Sequence, residues 1–258
     1  MICCIIQART GSTRLPKKVI QKIDNKNTVI DYVINQVKYS KKIEKIIIAT
    51  TNLIEDDIIC QYANLQQIEC FRGSSEDVLD RFYQCAKKFG IDDIIRITSD
   101  NPLIDPNIID MIINEYKNKE YDFVTNTLDR TFPYGTEVEV FSFQSLEKAW
   151  KNAKKPSERE HVTPFIRDPQ NGFNLVNLKH QKNLSHLRYT VDKIEDLKLV
   201  KEIIKNIPTR PILMKDIIDL YKKKPEIFKI NANVKHDGFL SSLKNDEAYF
   251  KSEDNSLT

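Results

Sequence analysis

The sequence predicts an α/β protein with a mixed, mostly parallel β-sheet flanked by helices. Short apolar segments rich in β-branched residues alternate with amphipathic segments of helical spacing, and this alternation begins at residue 2. Strands that alternate with helices pair in parallel through right-handed crossovers. The 258 residues, of which 40% are hydrophobic, suffice for one large domain or two small ones.

The first half of the chain carries the clearest pattern. Its predicted strands are residues 2–7, 44–51, 68–72 and 93–98. The predicted helices between and after them are residues 28–38, 54–65, 75–89 and 106–116. The third helix is predicted to begin with a serine cap at Ser75 and to end at Gly90.

The pattern is looser after residue 122, and the remaining elements are separated by longer connections. Strands are predicted at 122–126, 137–143, 174–178 and 187–190, and helices at 143–152, 195–204 and 214–222. Residues 231–258 are polar and weakly patterned. The simplest organisation is one domain over residues 1–230 followed by a polar tail over 231–258.

Composition excludes several classes of protein. The 40 basic and 37 acidic residues are mixed along the chain, and the net charge of +3 is too small to favour a nucleic-acid partner. No apolar run approaches the ~18–20 residues that a membrane helix needs, so a cytoplasmic protein with no membrane partner is expected. The five cysteines show no CxxC spacing and are expected to be buried free thiols.

The segment after the first strand, CIIQARTGSTRLPKK, concentrates groups that bind anions. In open α/β sheets, ligands bind outside the carboxyl ends of the strands. Backbone amides beside a glycine, hydroxyl donors and cations would together hold a polyphosphate. The set comprises Gly11, Ser12, Thr13, Arg9, Arg14 and Lys18. The spacing matches neither the Walker pattern nor GxGxxG, and an ordinary exposed basic loop is the alternative interpretation.

Two aspartates follow predicted strands and are candidate magnesium ligands, because Mg²⁺ prefers hard oxygen donors and bridges substrate phosphates. Asp100 follows the strand 93–98, and Asp192 follows the strand 187–190. The alternative for Asp100 is an Asx turn or a helix cap. The alternative for Asp192 is capping of the next helix, a role that Glu195 or Asp196 would also serve.

Four other residues are candidate ligands for a second substrate. Glu137 and Glu139 alternate with valines, so both lie on one side of a strand, which either lines a cleft or faces solvent. His161 lies among charged residues and is either a ligand or a surface histidine. Arg188 precedes Asp192 by four residues and either pairs with it or lies in the second substrate's pocket.

Several motifs, taken in order, resemble the cytidylyltransferases that make CMP-activated sugars, which include the CMP-Kdo and CMP-sialic acid synthetases. The chain is more similar still to the SpsF-like branch of spore-coat polysaccharide biosynthesis proteins. The resemblance covers about residues 1–220. The motifs are IIQARTGSTRLPKKVI, FRGSSEDVLDRF, RITSDNPLID, YGTEVEVFSFQSLEKA, EREHVTPFI and RYTVDKIEDLKLV.

The resemblance implies a Rossmann-like fold, CTP as nucleotide donor and magnesium as cofactor. By motif position, the triphosphate contacts would be Arg9, Ser12, Arg14 and Lys18. Asp100 would hold magnesium, and Asp192 would match a later metal-binding aspartate. The stretch from Arg72 to Ser74 would lie near the base and ribose. The family pattern has glycine where this chain has Lys17, which leaves open which lysine faces the phosphates.

The implied reaction is transfer of a cytidylyl group to a small acidic or phosphorylated acceptor for surface polysaccharide synthesis. An acceptor oxygen would attack the α-phosphorus of CTP, and pyrophosphate would leave. Two alternatives are a glycosyltransferase of related fold and a non-catalytic nucleotide-binding module. The acceptor, strict preference for CTP and the oligomeric state stay open, although enzymes of this kind are often homodimers.

Overall fold

The computed structural model describes residues 1–118, 120–234 and 246. Within them, seven strands form one sheet in the order β3-β2-β1-β4-β6-β5-β7. The strands are β1 (Ile2–Gln7), β2 (Lys45–Thr51), β3 (Glu69–Gly73), β4 (Asp93–Thr98), β5 (Phe123–Thr125), β6 (Glu139–Ser142) and β7 (Leu175–Asn177).

The sheet is mostly parallel, as the sequence predicts. Strand β1 pairs in parallel with both β2 and β4, so that Ile5 lies opposite Ile47 on one side and Arg96 on the other. Strand β6 is antiparallel to both of its neighbours, β4 and β5. The carboxyl ends of β1 to β4 therefore share one edge of the sheet, where ligands of such folds bind.

The predicted α-helices are all present in the structure with small shifts of their ends, and two short ones are added. The helices are α1 (Val29–Val37), α2 (Asp57–Leu65), α3 (Val78–Phe89), α4 (Pro106–Asn118), α5 (Phe143–Asn152), α6 (Pro156–His161), α7 (Pro164–Arg167), α8 (Ile194–Asn206) and α9 (Met214–Lys223).

The cap of α3 differs from the prediction. Asp77, not Ser75, caps this helix, because its carboxylate accepts a hydrogen bond of 2.8 Å from the backbone N–H of Asp80. Gly90 ends the helix as expected, with φ of 61° in the left-handed region that glycine tolerates.

Three groups of buried apolar side chains hold the fold together. One lies between the sheet and helices α1, α2 and α4, and a second between the opposite face and helices α3, α5 and α7. The third joins α8 and α9 to the start of α1 and to Leu103. Helices on both faces explain why β1 is apolar from Ile2 to Ile6: Cys3 packs on one side and Cys4 on the other.

The strand predicted at residues 187–190 is wrong. The segment makes one isolated parallel bridge, between Arg188 and Tyr134, and the N–H of Val191 then bonds to the carbonyl of Asp100 at 2.8 Å. The sequence pattern does not predict helices α6 and α7, because they are short. Each begins with a proline at its first position, where the missing N–H costs no hydrogen bond.

The prediction of five free thiols is also wrong. Cys60 on α2 and Cys70 on β3 form a disulfide, with Cα atoms 5.5 Å apart. The pairing follows from the packing of α2 against β3, which spacing along the sequence does not show. Cys3, Cys4 and Cys85 are free and buried, as predicted.

Within the described ranges, no helix is both long enough and apolar enough to cross a membrane. Residues 235–245 and 247–258 of the predicted polar tail lie outside the described residues. Asp246 is described and is buried, and its carboxylate accepts hydrogen bonds from the N–H of Ser157 at 2.9 Å and from its hydroxyl. Ser157 lies in the first turn of α6.

Candidate active site

The loop that follows β1 is held in place by a buried carboxylate from the edge of the sheet. The N–H and the hydroxyl of Thr10 both donate to Asp56, at 2.7 and 2.6 Å. The hydroxyl of Thr51, at the end of β2, donates to the same carboxylate. Leu15 and Val19 anchor the other end of the loop in the core. The loop is thus fixed at both ends, which leaves the residues between them to face the cleft.

A cleft of about 570 Å³ opens beside this loop, at the carboxyl ends of β1 and β4. Eight of the residues predicted from the sequence to form the site line it: Arg9, Gly11, Ser12, Thr13, Arg14, Lys18, Asp100 and His161. A Cβ atom added at Gly11 would meet no protein atom within 4 Å, so the space beside its backbone is open. The loop therefore borders the cleft, and its contact with a polyphosphate stays a prediction.

Lys18 joins the loop to both candidate metal ligands. Its ammonium group donates to Asp100 at 2.8 Å and to Asp192 at 3.0 Å. The carboxylates of Asp100 and Asp192 therefore meet at one point of the same sheet edge. Burial alone would lower the pKa of Lys18, but the charges of Asp100 and Asp192 outweigh it and raise that pKa.

Asp192 lies at the centre of a network of opposite charges. One of its oxygens also accepts from Arg14 at 2.7 Å, and the other accepts from Arg188 at 2.9 Å. Burial would raise the pKa of Asp192, but the nearby charges of Lys18 and Arg14 and the hydrogen bonds from Arg188 and Lys18 lower it to about 2. Its carboxylate is thus ionised at any physiological pH.

Asp192 does not cap α8. The carboxylate of Asp196 performs that role, because it accepts hydrogen bonds from the N–H groups of Asp192 and Lys193 at 3.0 and 2.9 Å. Asp196 is fully buried and also holds the guanidinium of Arg188 through two bonds of 3.0 Å. Arg188 therefore pairs with Asp192, one of the two alternatives that its spacing allowed.

The backbone at Lys17 settles which lysine enters the site. Lys17 has φ of 52° and ψ of 34°, in the left-handed region. This region costs most residues roughly 1–2 kcal/mol but suits glycine, the residue that the family pattern has here. Lys17 is exposed, whereas Lys18 points into the cleft and contacts both aspartates. Lysine in place of glycine at position 17 therefore changes the energy of the turn and leaves Lys18 in the cleft.

The carboxylates of Asp100 and Asp192 fit a magnesium site in which the substrate supplies the remaining ligands. Within residues 1–118, 120–234 and 246, no group of three or more His, Cys, Asp or Glu side chains is arranged to hold a metal. Mg²⁺ usually takes one or two carboxylates and fills its other positions with water and substrate phosphates. Two carboxylates that converge at the mouth of the cation-rich loop match that requirement.

The two glutamates predicted to bind an acceptor are engaged with the protein itself. Glu139 is buried, and it accepts from Arg96 at 2.6 Å and from the hydroxyl of Thr163 at 3.1 Å. Glu137 accepts from Arg130 at 2.7 Å and from the amide of Asn101 at 3.0 Å. Neither glutamate lines the cleft.

His161 lies at the end of α6 and lines the cleft together with Glu160 and Arg96. Its pKa is lowered, because burial disfavours the charged ring more strongly than the carboxylate of Glu160 favours it. His161 is therefore neutral at pH 7. This wall of the cleft, formed by Arg96, Glu160 and His161, combines a neutral imidazole with one acidic and one basic side chain.

The residues predicted to lie near the base have other contacts. Arg72 donates to the carbonyls of Thr51 and Leu53, at 3.1 and 2.8 Å, and pairs with Asp57 at the start of α2. The hydroxyl of Ser74 accepts from the N–H of Asp77 at 3.0 Å. Neither Arg72 nor Ser74 lines the cleft, so their predicted role in holding base and ribose stays a prediction.

Sequence reasoning missed three polar residues of this region: Asp56, Arg81 and Arg96. Asp56 holds the loop, and Arg81 and Arg96 line the cleft. A signal for Arg81 was present in the sequence. It lies on the apolar face of α3, between Val78 and Cys85, at a position where helical periodicity expects a buried apolar side chain.

The fold and the site together define a class of protein. The protein has the architecture of a nucleotidyltransferase: a mostly parallel sheet, a cation-rich loop after its first strand, one carboxylate just after β4 and a second from the segment before α8. The family model for cytidylyltransferases matches residues 3–235. The chain belongs to the cytidylyltransferase family, and the family predicted from the sequence motifs is thereby confirmed.

Individual relatives agree with this assignment. The chain is 40% identical over 237 residues to an uncharacterized protein of Methanocaldococcus jannaschii, covering 91% of this chain and 96% of that protein. It is 31% identical over 235 residues to the spore coat polysaccharide biosynthesis protein SpsF of Bacillus subtilis, covering 87% of this chain and 95% of the relative.

A solved structure shows the same fold. A cytidylyltransferase from Leptospira borgpetersenii superposes with a TM-score of 0.86 and is 32% identical, covering 91% of this chain and 99% of that one. The Rossmann-like, mixed α/β fold predicted from the sequence is confirmed by this likeness and by the strand order.

Proposed function

We propose that this protein transfers the cytidylyl group of CTP to a small acidic or phosphorylated sugar acceptor, with release of pyrophosphate, in the synthesis of a surface polysaccharide. The family supports cytidylyl transfer. The role in polysaccharide synthesis is supported by the name of the Bacillus subtilis relative.

The observation that carries the proposal is the contact of Lys18 with both Asp100 and Asp192 at the mouth of the loop. Phosphoryl and nucleotidyl transfer need charge neutralisation and in-line positioning more than covalent chemistry. The cleft supplies loop N–H groups, hydroxyls and cations on one side and carboxylates on the other. This arrangement suits a triphosphate that must bind strongly and then be cleaved.

Each residue of the network has a part in that task. Lys18 and Arg14 bind phosphate oxygens and stabilise the charge that develops on the leaving group. Arg188 and Asp196 hold the carboxylate of Asp192 in its orientation. Asp56 fixes the loop, so that its N–H groups keep one arrangement while the nucleotide binds.

Asp100 and Asp192 would hold magnesium. When bound, Mg²⁺ neutralises phosphate oxygens and makes the α-phosphorus more electrophilic. The same two carboxylates also hold the ammonium group of Lys18 in its orientation. Because Lys18 binds phosphate in this proposal, binding of the nucleotide to the loop depends on both aspartates.

We place the acceptor on the wall formed by Arg96, Glu160 and His161. Arg96 would attract an acidic or phosphorylated acceptor. In the reaction, the bond from an acceptor oxygen to the α-phosphorus forms as the bond from that phosphorus to the pyrophosphate oxygen breaks. If the acceptor oxygen is a hydroxyl, neutral His161 is placed to receive its proton.

Release of pyrophosphate tests this proposal. Purified protein is incubated with magnesium, one nucleoside triphosphate and each of a panel of sugar acids and sugar phosphates. We expect pyrophosphate with CTP and one acceptor class, and little with ATP, GTP or UTP. The proposal would be contradicted if none of the acceptors in the panel gave pyrophosphate. It would also be contradicted if all four nucleotides gave pyrophosphate equally.

A further inference from the structure

One wall of the cleft contains a buried arginine that the network around Lys18 does not include. Arg81 projects from α3, is 2% exposed and lines the cleft beside the loop. One terminal nitrogen of its guanidinium donates to the carbonyl of Ser74. Its Nε atom is buried and has no hydrogen-bond partner in the part of the chain that the structure describes. A buried donor without a partner is costly unless a ligand supplies one.

The carboxylates nearest to Arg81 are engaged with other groups. Asp77 pairs with Arg159 and caps α3. Asp56 accepts from Thr10 and Thr51, as described above. Neither makes an ion pair with Arg81, so among the described residues no carboxylate in direct contact compensates the charge of its guanidinium.

A second cation lies close to the first. Arg9 is exposed on the loop, lines the same cleft, and has no hydrogen-bond or ion-pair partner within the described residues. Burial, followed by repulsion from Arg9, lowers the pKa of Arg81 to about 10. Arg81 is nevertheless charged at pH 7, and the repulsion between the two guanidinium groups is relieved when an anion lies between them.

The two ends of the loop therefore differ in their charge balance. At one end, Lys18 and Arg14 are matched by Asp100 and Asp192. At the other end, no carboxylate of residues 1–118, 120–234 or 246 is in direct contact with Arg9 or Arg81. The first end suits the reacting α-phosphate, together with a magnesium ion held by the two carboxylates. The second end suits phosphate groups that carry excess negative charge.

We infer that Arg81 and Arg9 form a subsite for the two terminal phosphates of the nucleoside triphosphate, the groups that leave as pyrophosphate. This inference rests on the proposed function and adds Arg81, a residue that the loop motif does not contain. Guanidinium groups suit this role because they grip phosphate with parallel hydrogen bonds.

Gly73 makes the position of Arg81 possible. A Cβ atom at Gly73 would lie 2.9 Å from Cγ of Arg81 and 2.9 Å from a ring carbon of Phe71. An alanine at this position would push the arginine out of its place without removing its charge. Gly73→Ala therefore tests the position of the guanidinium separately from its presence.

The experiment measures the affinity for inorganic pyrophosphate and for CTP by calorimetry, in magnesium buffer. The variants are Arg81→Gln, Arg9→Gln and Gly73→Ala. The control is Arg210→Gln, which removes an exposed arginine that donates to the carbonyls of Ile207 and Thr209 and lies over the ring of Tyr32. We expect pyrophosphate affinity to fall roughly 10- to 100-fold in each of the three variants, and to stay within twofold in the control.

Each outcome bears on the inference. Equal pyrophosphate affinity in wild type and Arg81→Gln overturns it, and so does a loss of CTP affinity with pyrophosphate affinity unchanged, since that pattern places Arg81 at the nucleoside. If Arg81→Gln does not fold, Arg9→Gln and Gly73→Ala decide the matter in the same way. A wild-type protein that binds pyrophosphate but does not turn over CTP contradicts the proposed function and leaves the subsite intact.

Discussion

Lys18 contacts Asp100 and Asp192 with one ammonium group, at 2.8 and 3.0 Å, although the three residues come from distant parts of the chain. The contact brings together the end of the loop, the end of β4 and the segment before α8. Arg14 and Arg188 complete the network on the side of Asp192. The predictions below test what this network does.

Arg14→Ala should abolish most turnover and leave the fold intact. The lost charge-assisted phosphate contact is worth roughly 1.5–3 kcal/mol, which corresponds to a 10- to 100-fold fall in kcat/KM. Arg14 is partly exposed, so the loss of its pair with Asp192 should lower the free energy of unfolding by less than about 1 kcal/mol. Kinetics with CTP and a urea titration check both values, and an unchanged rate would refute the assignment of the loop to phosphate.

Asp100→Asn and Asp192→Asn should respond differently to magnesium. Asp100→Asn should be the more damaging change, because the motif resemblance implies that Asp100 holds the magnesium ion and matches Asp192 only to a later metal-binding aspartate. The activity of Asp192→Asn should be partly restored by extra magnesium, since one carboxylate and the substrate phosphates still bind the ion. The measurement is a magnesium titration of kcat/KM for both variants. Identical magnesium dependence in wild type and Asp192→Asn would exclude Asp192 as a ligand.

Asp192 should contribute stability that depends on pH. Its pKa is lowered to about 2 in the folded protein, against about 3.9 for a free aspartate. Its contribution, about 2 kcal/mol, is therefore fully present above about pH 4 and is lost as the pH falls through about 2. The difference in unfolding free energy between wild type and Asp192→Asn, measured by urea at pH 6, 4 and 2.5, should shrink as the pH falls. A constant difference would show that ion pairing does not lower this pKa.

The adjacent lysines of the loop should behave in opposite ways. Lys17→Gly relieves left-handed strain and should raise the free energy of unfolding by about 0.5–1 kcal/mol, with activity within twofold of wild type. Lys18→Met removes the cation that contacts both aspartates and should lower kcat/KM at least 10-fold. The pair of variants is assayed side by side. A larger loss of activity in Lys17→Gly than in Lys18→Met would show that Lys17, and not Lys18, makes the phosphate contact.

Asp246 should matter for the position of α6. From composition alone, deleting about the last 20 residues is expected to leave activity largely unchanged. The contacts of Asp246 with Ser157 change this expectation, because they satisfy polar groups in the buried first turn of the helix that carries His161. Asp246→Ala should lower the free energy of unfolding by roughly 0.5–2 kcal/mol, as the loss of a cap does.

The matched control for Asp246 is Asp219→Ala, which removes an exposed aspartate paired with Lys222 on α9. It should change the free energy of unfolding by less than about 0.5 kcal/mol. A thermal or urea unfolding series on both variants makes the comparison. Equal stability of wild type and Asp246→Ala would support the expectation from composition, that about the last 20 residues can be deleted with little effect.

The sequence by itself determined the class of fold and the place of the site. The apolar period of two or 3.6 residues is a local property, so β1, β4 and α5 could be predicted almost to the residue. The loop after β1 and the carboxylate of Asp100 were also predictable, because parallel strands bring their carboxyl ends to one edge.

Only the tertiary structure decided which charged groups meet. Asp192 lies 174 residues from Lys18 along the chain, and no local pattern shows that the two are in contact. The same holds for Asp56, which fixes the loop from the start of α2, and for the disulfide between Cys60 and Cys70. It holds for Arg81, whose helical position predicted an apolar side chain. Periodicity reports which face of an element is buried, whereas the partner on that face depends on how distant elements pack.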